Sequence, residues 1–283
     1  MSRTPISAPP SNRRPGSGRF CRAPSSQRGP AEGSGWRAVA TGPCFILALR
    51  ADGSLWWWKD GSCCAIDADD LEGRSWPKRI GIDSDWESIA AGTDFTLALK
   101  RDGSLWAWGD NRNGQLGLGD RESREAPARV GAVSDWAVIA PGCGQALAIK
   151  RDGSLWAWGD NREGQLGLGD RESRDVPTRV GTESDWAVAS AGSDFGLSVK
   201  RDGTLWAWGR NDEGKLGVGD SESRDVPTRV GDDSDWTNIA AGDSHSLAVK
   251  RDGSVWAWGY GGEGELGLPG IDLLDRPTRV LAP

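Results

Sequence analysis

The sequence predicts an all-β protein, a propeller of four-stranded blades, and three observations carry that expectation. First, marker residues recur at an exact fifty-residue spacing: Trp36, Trp86, Trp136, Trp186 and Trp236; Asp52, Asp102, Asp152, Asp202 and Asp252, each followed by glycine; and Pro77, Pro127, Pro177, Pro227 and Pro277. A fixed period of this size means a solenoid, a propeller or an array. Second, the chain holds 17 Trp and 41 Gly in 283 residues, with one Tyr and four Phe. That composition suits short strands and tight turns, and makes tryptophan a main source of burial, at roughly 4–6 kcal/mol per ring as an upper bound. Third, no stretch shows a 3.6-residue period over a helical length.

One unit, residues 86–135, gives the elements in order. WESIA (86–90) is a short strand closed by Ala-Gly. TLALK (96–100) alternates, Arg101-Asp102-Gly103 turns the chain, and SLWAW (104–108) returns it. Asp-Gly between two alternating strands signals a hairpin, because glycine accepts the positive φ of the turn. A long loop follows, then ARV (128–130), led by Pro127, which fits a strand start where no ladder bond is lost. Within SLWAW, Leu105 and Ala107 point to one face and Trp106 and Trp108 to the other. Neighbouring blades cover both faces, so stacked copies set bulky against small at each interface. The repeats run 36–85, 86–135, 136–185, 186–235 and 236–283.

Residues 1–35 differ in kind. They are rich in Ser, Pro, Arg and Gly and hold six Arg and one Glu, a net of +5, so the remaining 248 residues carry −12 of the chain's −7. Such a segment buries too little surface to offset chain entropy and reads as a disordered arm. Its Arg- and Ser-rich, acid-poor makeup also resembles an organelle transit peptide, a minor alternative to the cytoplasmic location expected here. The acidic body argues against nucleic acid as the main partner. No apolar run approaches a membrane span or a secretory leader. Five cysteines, Cys21, Cys44, Cys63, Cys64 and Cys143, follow neither the repeat nor a CxxC spacing, so no disulfide framework is expected.

The repeated unit, with WAWGDNRNGQLGLGD (106–120), PTRV (177–180) and AAGTDFTLALKRDG (90–103) as examples, resembles the repeat of the regulator of chromosome condensation (RCC1) superfamily, most of all its bacterial-type repeat proteins. The resemblance covers residues 36–283. It implies a β-propeller, commonly of seven blades. It implies function only loosely: the founding eukaryotic member is an exchange factor for a small GTPase and binds nucleosomes, bacterial relatives include a β-lactamase inhibitor protein, and others are interaction modules. This chain has five repeats, an acidic body, and KDGSCCAIDADD (59–70) where the second repeat has GDNRNGQLGLGD. Five blades close at about 72° per blade, against about 51° for seven. Closure could pair the first and last strands in one blade. Otherwise an open arc exposes blade faces and invites self-association.

Nothing assembles a nucleophile, base and oxyanion site, so neither an enzyme nor a cofactor is expected. His245, the only histidine, has no Ser or Cys partner in register. DNRNG (110–114) lacks calcium-loop phasing, and GQLGLG lacks the Lys-Ser/Thr and helix of a phosphate cradle, so no metal site is expected. Variation among the five copies gathers in two loops. One, after Ala-Gly, contributes Asp94, Phe95, Gln145, Asp194, Phe195 and His245. The other, after WAWG, contributes Arg112, Arg162, Arg210 and Tyr260. Loops on a rigid scaffold are where binding usually lives, so these are the candidate partner contacts. Trp57 joins them, because it takes the slot of Ala107 and Ala157. The expected function is a non-enzymatic protein-interaction scaffold, with a multivalent carbohydrate-binding propeller and a guanine-nucleotide exchange factor as alternatives. A carbohydrate binder would present the same exposed aromatic and polar pair in every blade.

Overall fold

The computed structural model describes residues 35–59 and 77–280. The arm (apart from Gly35), Cys21, Cys63-Cys64 and most of the divergent loop 59–70 lie outside the described residues. The rest forms twenty strands in five four-stranded antiparallel sheets, each built from four consecutive strands. Blade 3 shows the pattern: Trp136–Pro141, Gln145–Lys150, Leu155–Gly159 and Arg174–Arg179. First strands of successive blades, from blade 1 to blade 5, approach one another in sequence, which places them innermost.

The hairpin between second and third strands is set by local chemistry. Gly153 sits at φ 85°. The Asp152 carboxylate accepts from the Ser154 amide (2.8 Å) and hydroxyl (2.6 Å), and the Ser154 oxygen accepts from the Trp156 indole (2.9 Å). The Ser154 hydroxyl and amide bonds hold the Asp152 carboxyl below its ordinary range. The same Asp–Ser/Thr–Trp relay stands in every blade.

Blade packing follows the two-faced strand. Leu105 and Ala107 of blade 2 pack with Trp136 and Trp158 of blade 3, while Trp106 and Trp108 pack back against blade 1. Trp158 reaches across the interface: its Nε1 donates to the Gln115 carbonyl at 2.9 Å, and Trp208 and Trp258 do the same with Gln165 and Lys215. Gly117 makes room for the indole; a Cβ there would stand 2.9 Å from Trp158 Nε1. Bulky thus meets small at the interfaces among blades 2 to 5, as the sequence implied, while between blades 1 and 2 Trp57 takes the place of the small residue.

Three expectations need correction. The fourth strand is longer than ARV: it runs Arg124–Arg129 with Pro127 inside it, and the register shifts between Ala107 and Gly109 let the ladder pass the proline. First and last strands do not share a sheet, since strands 36–79 and 236–279 form separate blades. Cys44 and Cys143 are each disulfide-bonded, where no disulfide framework was expected. The four core clusters join blade 1 to 2, 2 to 3, 3 to 4 and 4 to 5. Among the described residues no such cluster joins blade 5 to blade 1.

Candidate functional site

The loops between first and second strands and the loops after third strands emerge at the same end of the blades. In blades 2 to 5 they enclose a polar basin of about 680 Å³. The first set brings Asp94, Cys143, Ser193, Asp194 and Asp243 to it, and the second brings Asp110, Arg112, Asp160, Arg162, Arg210, Glu213 and Lys215. Six carboxylates and four cations line the basin.

The second loop is held by a buried asparagine. Asn111 accepts from the Leu116 amide (2.9 Å) and donates to the carbonyls of Asp120 and Glu122 (both 3.0 Å). Asn161 and Asn211 likewise accept from Leu166 and Leu216 and donate to the carbonyls of Asp170 and Asp220. This fixes the loop while its neighbours change. Each arginine is tied to an acid two residues away: Arg112 Nε to Asp110 at 2.7 Å, Arg162 Nη2 to Asp160 at 2.6 Å, Arg210 Nη2 to Asp212 at 2.6 Å. Burial pushes the Asp160 carboxyl up, but the Arg162 hydrogen bonds and charge outweigh it and leave the group low.

Lys215 and Asp243 are less well matched. Lys215 replaces Gln115 and Gln165 and is buried, 3% exposed. Its ammonium lies 3.5 Å from the Asp243 carbonyl, 3.6 Å from Glu213 and 3.9 Å from Asp212. Burial lifts the Asp243 carboxyl above its ordinary range; the Ser193 hydroxyl, which donates to it, and Lys215 oppose the rise, and Asp194 adds to it.

Of the eleven residues singled out in the sequence, Asp94, Arg112, Arg162, Asp194 and Arg210 line the basin together. Phe95, Gln145 and Phe195 do not contact solvent, at 0–1% exposed, which corrects their reading as partner contacts. Their physical role is to fill the space over the Ala-Gly turn. The Phe95 and Phe195 rings sit where a Cβ on Gly92 or Gly192 would fall, and Gln145 Nε2 donates to the Gly192 carbonyl at 3.0 Å. His245 occupies the same slot over Gly242, half-buried, and burial lowers its pKa. Trp57 is half-buried against the core between blades 1 and 2. Tyr260 is half-buried and outside the basin lining.

The sequence reading did not single out Ser193 and Asp243 within the variable Ala-Gly loop, and it missed Lys215, which breaks the repeat in register. It also missed a repeated cation cage on the strands. Lys100, Lys150, Lys200 and Lys250 each stand 4.5–5.0 Å from the centroids of two Trp rings, and Arg50 stands 5.0 and 5.3 Å from its pair. Among the described residues, no group of three or more His, Cys, Asp and Glu could hold a metal ion, and no helix is long and apolar enough to cross a membrane.

Five consecutive four-stranded antiparallel blades, joined face to face with their variable loops at one end, define a protein of the β-propeller class. Residues 13–282 match the RCC1-like domain model, and the chain belongs to that family. A comparison with curated protein sequences found no match. Among solved structures, the chain is similar to human WBSCR16, with a TM-score of 0.77 at 22% identity over 88% of this chain and 67% of that one. It is also similar to Prp20p from Saccharomyces cerevisiae, described with its binding to Gsp1p and histones, with a TM-score of 0.75 at 25% identity over 87% of this chain and 63% of that one. The same yeast protein bound to Kap60 gives a TM-score of 0.74 at 26% identity, over 87% and 61%. The chain therefore spans about two thirds of the length of these structures.

Proposed function

We propose that the protein is a non-catalytic interaction scaffold and that the basin is its recognition site, taking a basic segment of a protein partner. One observation carries this reading: the residues that vary between otherwise near-identical repeats converge, from blades 2 to 5, on one cavity. The fold does not require that variation, so a ligand is the natural reason for it. The balance of charge sets the partner's chemistry. Acids exceed cations in the lining, the arginines already have short carboxylate partners, and Asp194 and Asp243 have weaker compensation. An incoming lysine or arginine side chain would relieve that excess. Steering by such a surface is expected to weaken as salt shortens the Debye length, about 8 Å at physiological ionic strength.

The carbohydrate alternative has less support, because the repeated tryptophans serve blade packing and cation stacking rather than forming an exposed aromatic set at the basin. The exchange-factor alternative rests on the likeness to Prp20p alone. The test is an array of basic, acidic and neutral peptides, with glycans alongside, probed with the whole protein and with Asp194→Asn/Glu213→Gln. Retention of basic peptides, at least tenfold weaker in the variant and in high salt, supports the reading. Preference for acidic peptides or glycans, or binding unchanged in the variant, overturns it.

A further inference from the structure

Position 215 departs from its repeat where the fold favours a different side chain. In blades 2, 3 and 5 the residue in this register holds its own loop: Gln115 accepts from the Asn113 amide at 2.8 Å, Gln165 from the Glu163 amide at 2.8 Å and Glu265 from the Glu263 amide at 2.9 Å. A lysine side chain has no acceptor, so Lys215 leaves the Glu213 amide without that bond. The main chain at 215 is held as in the other blades, its carbonyl accepting from the Trp258 indole at 2.9 Å and from the Ser246 hydroxyl at 2.7 Å. Only the side chain has changed its task. It lines the basin, 3% exposed, and among the described residues its nearest acceptor is the Asp243 carbonyl at 3.5 Å. The three basin arginines, by contrast, each have a carboxylate at 2.6–2.7 Å. A buried donor without a short acceptor costs stability, and the lost loop bond adds to that cost.

We infer that the Lys215 ammonium donates to an oxygen of the ligand, a main-chain carbonyl of the basic segment that the basin takes. This deepens the basin reading and rests on it. A carbonyl suits the place better than a carboxylate, because Glu213 and Asp212 already stand 3.6 and 3.9 Å from the ammonium and would repel a further anion. The basin then meets a basic residue twice: Asp194 and Asp243 face the side-chain cation, and Lys215 takes the backbone beside it. A few placed polar groups of this kind fix a ligand's orientation, which an excess of acid alone does not.

Two variants test the assignment. Lys215→Met keeps the buried stem and removes the donor. Lys215→Gln restores the side chain of blades 2 and 3, turned to its own loop. The probe is a set of capped peptides of lysine, arginine and alanine, whose only oxygens are amide carbonyls, titrated against the whole protein, with uncapped versions alongside. Charge alone predicts tighter binding by both variants, because a cation leaves an acid-rich basin. The expected result is the opposite: both bind the capped peptides at least about tenfold more weakly than the wild type. Lys215→Gln should also melt above the wild type, its loop bond restored. Tighter or unchanged binding in the two variants, with the loss in Asp194→Asn/Glu213→Gln still seen, overturns this inference and leaves the basin reading standing. A loss confined to peptides with a free terminal carboxylate overturns it too, as does a glutamine variant no more stable than the wild type, which would make Lys215 a residue of the fold. A wild type that holds none of the peptides overturns both readings.

Discussion

Position 158 and its register mates 108, 208 and 258 are all tryptophan, whereas position 143 and its mates read Cys143, Thr93, Ser193 and Asp243. Both sets belong to the same repeats and the same blades, one on a strand face and the other at the mouth of the basin. The strand face solves one packing problem at every junction, so its letters cannot change singly: the indole of one blade, the glycine beneath it and the carbonyl it bonds are three parts of a single fit. The side chains at the basin position also meet from blade to blade, with Cys143 Sγ 3.5 Å from the Ser193 hydroxyl and Ser193 donating to Asp243, but the pairing differs at each step, so no single fit fixes the letters.

The largest expected effect tests the first half of that comparison. Trp158→Ala empties a fully buried site and removes the indole bond to the Gln115 carbonyl, and should cost about 3–5 kcal/mol. Trp58→Ala, on the half-buried end face, should cost less than half as much. Urea unfolding of both, compared by midpoint, would break the comparison if the two losses were equal.

A second pair separates steric fit from backbone geometry. Gly117 and Gly267 occupy the same slot at φ 70° and 64°, but a Cβ on Gly117 meets Trp158 at 2.9 Å, while on Gly267 it meets only Val280 at 3.6 Å. Gly267→Ala should therefore cost only the positive-φ strain, about 1 kcal/mol, and Gly117→Ala about 3 kcal/mol once overpacking is added. Thermal melts of the two variants measure the difference.

These pairs also show how much was legible beforehand. The fifty-residue period, the Asp-Gly hairpin and the alternation in SLWAW were enough for blade, strand order and facing, because each is a local rule repeated without insertion. The longer fourth strand was not legible, since Pro127 suggested a start and only the register shift past Gly109 shows how the ladder tolerates it. At the site, Asp94, Arg112, Arg162, Asp194 and Arg210 were found by variation alone. Phe95, Gln145 and Phe195 vary too, yet they vary among side chains that fill one hole, and nothing in a single sequence separates tolerated filling from exposure. The lysine cages escaped notice because a lysine closing a strand reads as a solvated end; only the pairing of the second strand with both the first and the third brings two indoles to it.

Those cages give an intermediate effect. Lys150→Met keeps the packing stem but removes the ammonium from between Trp136 and Trp156 and from its 3.2 Å pair with Asp135. The expected loss is about 1–2 kcal/mol, and because the charge is nearly covered it should change little with salt. Chemical unfolding at two ionic strengths measures both. A loss that disappears in high salt would mean that the indoles contribute nothing beyond screening.

The smallest effects belong to the basin, and one of them should carry the opposite sign. Arg210→Ala removes a guanidinium whose short partner, Asp212, is itself half in water, and should move stability by no more than about 0.5 kcal/mol. Asp243→Asn should stabilise. Burial raises the folded-state pKa of Asp243 above its unfolded value, so between those two values the folded chain keeps a proton that the unfolded chain has released. The stability associated with this group is therefore greatest when it is protonated and falls as pH rises through that window. Asparagine stays neutral and can still accept from the Ser193 hydroxyl. The variant should match the wild type in acid, where residue 243 is uncharged in both, and should melt at a higher temperature at neutral pH. Melting curves across that range decide the matter. A variant less stable at neutral pH would show that the Asp243 charge supports the fold, and the excess of acid would then lose its meaning as an unmet demand for a cationic partner.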